Sequence, residues 1–164
     1  MASGDTLCIL LPTHNDFPAS APAVPISRNA ILYLQFAQPG TPEVAVFRNI
    51  MPRRYGGGSI TANIYWIALT AVAGNVAWDG AFERNDANDH DLDSDNFATA
   101  QTAADVATNA TNGKLAVSVI TWTASQIDGI TAGDPFRLKL RRPAAAASEM
   151  TASAQFHSLE LKEV

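Results

Sequence analysis

From Phe136 to Arg141 the chain alternates apolar and cationic residues without a break, Phe136, Leu138 and Leu140 against Arg137, Lys139 and Arg141. Only a strand sends successive side chains to opposite faces, so one face here meets a core and the other meets water. A half-buried strand cannot stand alone: it needs paired neighbours and a second layer over its apolar face. Other segments obey the same rule. Leu115, Val117 and Val119 alternate with Ala116, Ser118, Ile120 and Trp122, just after Asn112-Gly113, the strongest hairpin dipeptide in the chain. In residues 60–70, Ile60, Ala62, Ile64 and Trp66 share one face and Tyr65, Ile67 and Leu69 the other, which marks a central strand covered on both sides.

Composition points the same way. Among 164 residues there are three Lys and five Glu, too few for the exposed faces of ordinary helices. Strand-like runs at 30–36, 43–50, 76–85, 97–108 and 155–163 recur between turn signals, with Gly74-Asn75 read as a hairpin turn. Residues 125–130 read as one helical turn and 143–147 as a loop. These spacings predict an all-β, jelly-roll-like antiparallel β-sandwich over residues 30–164. Residues 1–29 read differently: Pro12, Pro18, Pro22 and Pro25 exclude a helix and make an awkward central strand, so an extended Pro-rich arm is expected.

The charge balance, 11 basic against 16 acidic residues, argues against a partner held by its phosphates, so no nucleic acid is expected. No apolar run approaches the roughly 20 residues a membrane helix needs. The first residues make a poor secretory signal, with Asp5 where a basic region belongs. A single cysteine, Cys8, allows no internal disulfide and no thiolate metal cluster.

Candidate chemistry is thin. The stretch 86–95 places oxygen ligands at alternate positions but lacks the Gly and Glu of a calcium-binding helix-loop-helix, so it reads as a solvated loop. His14, His90 and His157 are scattered. No Gly-x-Ser-x-Gly occurs, and Gly56-Gly57-Gly58 lacks the Lys and Ser/Thr of a phosphate loop, leaving it a tight bend before the next strand. Asp79 and Glu83 share a strand face, as a glycosidase pair would, but two acids in sixteen carry little weight. Trp66, Trp78 and Trp122 would make a sugar platform if exposed, yet Trp66 and Trp122 sit in alternating strands beside Ile and Val, which favours burial. No catalytic residue, cofactor or metal is expected. The arm holds the candidate contact residues: Leu7, Ile9, Leu10, Leu11 and Phe17 are too apolar to be left in water, and are expected to cover a neighbouring subunit.

Pro52-Arg53-Arg54-Tyr55-Gly56-Gly57-Gly58, then Ile64-Tyr65-Trp66, Val76-Ala77-Trp78-Asp79-Gly80-Ala81-Phe82-Glu83-Arg84 and Ala132-Gly133-Asp134-Pro135 resemble segments of tailed-phage and prophage virion proteins. The resemblance spans roughly residues 45–163. It implies a non-enzymatic, jelly-roll-like virion component assembled in a bacterial host. The first expectation is a capsid decoration (cement) protein, a homo-oligomer, most simply a trimer, bound to the major capsid protein at capsomer junctions. The alternatives are a tail or fibre component, or a carbohydrate-binding β-sandwich.

Overall fold

The computed structural model describes residues 4–37, 42–87, 91, 93–94, 96–144 and 146–164. The strands of the first half are β1 (Thr6–Leu10), β2 (Asn15–Asp16), β3 (Val24–Arg28), β4 (Ile31–Phe36), β5 (Val44–Ile50) and β6 (Ile60–Ala68). Those of the second half are β7 (Asn75–Val76), β8 (Asp79–Arg84), β9 (Gln101–Thr102), β10 (Val106–Ala107), β11 (Ala116–Trp122), β12 (Pro135–Arg141) and β13 (Ala154–Glu163). Two antiparallel sheets pack face to face. The first runs β11-β6-β13-β4-β3, and the second β2-β5-β12-β8-β9; β7 and β10 form a small ribbon beside them.

The expected β-sandwich is what the chain forms, and the alternation of residues 136–141 is realised in β12: Phe136, Leu138 and Leu140 are buried, while Arg137, Lys139 and Arg141 lie on the outer face. The core between the sheets is aromatic. Phe82 meets Trp122 edge-on at 5.0 Å, and Phe36 meets Trp78 edge-on at 4.9 Å, arrangements the ring quadrupoles favour. Trp66, Trp78 and Trp122 are all fully buried, so they form no sugar platform.

Three expectations need correction. The Gly74-Asn75 segment is no hairpin turn, because β6 belongs to the first sheet and β8 to the second; the segment crosses between layers and pairs with β10 on the way. Residues 97–108 supply only the short β9 and β10 rather than a continuous strand.

The third is the arm. The segment is extended as expected, but it is built into the sandwich. β1 pairs with β13 along Leu159 to Lys162, while β4 takes Ala154 to Phe156 on the same edge of β13. An irregularity between Thr6 and Cys8 turns both Leu7 and Leu10 inward, at 4% and 0% exposure, where each joins the common core. β2 and β3 then become edge strands of opposite sheets, the position prolines tolerate. Leu7 and Leu10 therefore cover their own domain, not a neighbour. Ile9, Leu11 and Phe17 stay exposed.

Candidate binding face

The outer face of the second sheet is where charge and open aromatic surface meet. In register, Arg48 of β5 lies opposite Arg137 of β12, which lies opposite Glu83 of β8; the next two rungs are Val46–Lys139–Ala81 and Val44–Arg141–Asp79. Antiparallel pairing brings such neighbours to about 4.5–5.5 Å between Cα atoms, so these side chains must interact. Arg137 donates from Nε and Nη2 to the two oxygens of Glu83, both at 2.5 Å. Arg141 grips Asp79 in the same way, at 2.9 and 2.6 Å. Both carboxylates are buried. Asp79 and Glu83 are thus held as ion-paired acceptors, and the glycosidase arrangement imagined for them is not present.

Two phenylalanines reach this face from opposite edges of the sheet. β2 pairs Asp16 with Val46, and the chain then leaves the edge at Phe17, which is 57% exposed. On the far side, Ala98 donates its amide to the Phe82 carbonyl and β9 pairs with β8. That alignment lays Phe97 back over the sheet, its ring centroid 5.1 Å from Arg137 Cζ and 4.4 Å from Lys139 Nζ. Cation–π contacts of this kind contribute about 0.5–1 kcal/mol at exposed sites.

Phe17 and Phe97 frame a cavity of about 420 Å³. Val46 and Pro18 give it further apolar wall, and Asp16, Arg48, Asn85 and Arg137 supply its polar groups. Asp16 and Arg48 are themselves paired, with Arg48 Nη2 donating to Asp16 Oδ1 at 3.0 Å. The amide oxygen of Asn85 is without a hydrogen-bond partner among the described residues. An apolar cavity with a few convergent polar groups is the common form of a small-ligand site.

Of the candidate contact residues named from the sequence, Phe17 alone lines this cavity. Phe97, Asp16, Arg48, Asn85 and Arg137 were not foreseen, although the cationic face of 136–141 was the signal that this side of the sheet is not plain solvent surface. Elsewhere the candidates are spent on structure. Gly56 and Gly58 donate their amides to Glu163 Oε1 at 2.9 and 3.1 Å, so the glycine run wraps a carboxylate. Asp86 pairs with Arg84, and Asp91 accepts the amides of Asp93 and Ser94 as a turn-closing residue; positions 88–90, 92 and 95 of the acidic stretch, His90 included, lie outside the described residues. His14 accepts the Leu11 amide, and His157 bonds Ser158. Among the described residues no three His, Cys, Asp or Glu converge as metal ligands.

No family model and no curated protein matches the sequence. Solved structures do match the fold. The CBM22-1 xylan-binding domain from Paenibacillus barcinonensis aligns over 100% of this chain and 97% of its own, at 11% identity and a TM-score of 0.55. A CBM35 domain from Cellvibrio japonicus aligns over 95% of this chain and 92% of its own, at 11% identity and a TM-score of 0.52. The chain shares its β-sandwich with carbohydrate-binding modules.

Proposed function

We propose that this domain is a non-catalytic carbohydrate-binding module whose site is the cavity between Phe17 and Phe97. The observation that carries the reading is the convergence of two aromatic rings, brought from opposite sheet edges, on a cavity lined by planar polar groups. A sugar ring offers apolar C–H faces to aromatic side chains and hydroxyls that pair with guanidinium, carboxylate and amide groups. The fold shared with carbohydrate-binding modules supports the same reading.

The cement reading loses part of its motive, because Leu7 and Leu10 of the arm fill the domain's own core, leaving Ile9, Leu11 and Phe17 exposed. A place on a virion remains compatible as a proposal, with this domain as the part of the particle that meets a glycan.

Screening the full chain against immobilised and soluble polysaccharides tests the proposal. At least one glycan class should bind, and Phe97→Ala should weaken that binding by about tenfold or more, as loss of a well-packed aromatic contact does, while the domain still melts cooperatively and loses only the small cation–π contribution to its stability. Binding that is indifferent to Phe97→Ala, or no binding to any glycan, would overturn the assignment. Tryptophan quenching is not the readout to use, since all three indoles are buried.

A further inference from the structure

We infer that the sugar recognised at this face carries an acidic group, a carboxylate or a sulfate, seated against Arg48 and Arg137; this rests on the carbohydrate-binding reading. Arg48 and Arg137 are register partners on adjacent strands, so two guanidiniums stand side by side. Like charges so placed repel, and each is braced by its own carboxylate. The bracing is identical on both: Nε and Nη2 face the carboxylate, Asp16 for Arg48 and Glu83 for Arg137. In each case Nη1 makes no hydrogen bond or ion pair among the described residues, and both arginines line the cavity. Two pre-oriented cationic donors with unspent amino groups suit an anion bearing several acceptor oxygens.

The surrounding charge agrees. The face holds four cations, Arg48, Arg137, Lys139 and Arg141, against three carboxylates, Asp16, Glu83 and Asp79. Lys139 makes no direct ion pair among the described residues and lies under the Phe97 ring. Burial first, and then the neighbouring Arg141, pull its ammonium below the ordinary lysine range, with Asp79 and Glu83 opposing them. In a chain of formal charge −5 this is a local reversal of sign. A neutral sugar could use the two phenylalanines but would leave that excess untouched, whereas an acidic sugar uses both.

The test compares polygalacturonate, the same polymer after reduction of its carboxylates, and dextran sulfate with neutral dextran, by calorimetry on the full chain. At least one acidic polymer should bind about tenfold or more tightly than its neutral counterpart, and the preference should shrink with added salt. The comparison between polygalacturonate and dextran sulfate assigns carboxylate or sulfate. Arg48→Gln should remove the preference; its side chain is 71% exposed, so the fold should survive the change. Equal binding of acidic and neutral polymers, sensitive to Phe97→Ala but not to Arg48→Gln, would overturn this inference and keep the sugar site. Binding of every polyanion, double-stranded DNA included, without sensitivity to Phe97→Ala would be mere charge attraction and would overturn it. No binding to any of these four, with a neutral glycan bound in the wider screen, would overturn this inference and keep the sugar site.

Discussion

Trp122 and Gly80 are matched across the two layers: the indole Nε1 donates to the Gly80 carbonyl at 3.2 Å, and the ring occupies the space a side chain at 80 would need. A β-carbon there would stand 2.7 Å from Cζ2 of Trp122, closer than packed atoms tolerate. Gly80→Ala should therefore cost about 1–3 kcal/mol, the usual penalty of overpacking a filled core. Urea unfolding followed by tryptophan fluorescence measures it. A change within about 0.5 kcal/mol would mean that the layers are free to shift there.

The burial of β1 separates two neighbouring residues. Leu10→Asp places a carboxylate in the core and should destabilise the domain by about 4 kcal/mol or more, whereas Ile9→Lys, exposed and opposite Glu160, should stay within about 0.5 kcal/mol. If Leu10→Asp instead melts like the unmodified chain, β1 does not belong to this sandwich.

The turn joining β3 to β4 has Asn29 at φ 50° and Ala30 at φ 62°, both left-handed, as a two-residue hairpin of this hand requires. Ala30 carries a β-carbon into a conformation that glycine adopts without strain. Ala30→Gly should raise stability by about 0.5–1 kcal/mol in thermal or urea melts. A loss of stability would show that the turn is not the strained one described.

The Thr6 hydroxyl donates to Glu160 across β1 and β13 and is the main cause that holds the Glu160 carboxyl below the ordinary range; Asn63 and Lys162 add to it and burial opposes it. A pKa lower in the folded than in the unfolded state adds stability above the unfolded value and loses it as pH falls through the folded one. Thr6→Val should reduce stability near neutrality and make the decline below the ordinary carboxylate range shallower. Parallel pH profiles for the two proteins would contradict the link.

What was legible in the sequence was local. The period-two pattern of residues 136–141 and 115–122 identified β12, β11 and the half-buried nature of the sandwich, and the company of Trp66 and Trp122 foretold their burial. What was illegible depended on pairing between distant parts of the chain. β1 reads as a loose arm because its partner, β13, lies at the other end of the sequence, and nothing near Leu10 announces the slot it fills. The site was hidden for the same reason. Arg48 and Arg137 become neighbours only through the β5–β12 register, and Phe97 reaches them from an irregular segment with no strand pattern of its own.

Amide chemical-shift mapping reads directly whether a glycan occupies the face between Phe17 and Phe97. The isotope-labelled full chain is titrated with the glycan that binds best. The amides of residues 16, 17, 46–48, 85, 97 and 137 should move together and saturate, while those of Tyr65, Val117 and Val119 on the outer face of the first sheet stay still. Shifts confined to that opposite face, or absent throughout, would contradict that occupancy.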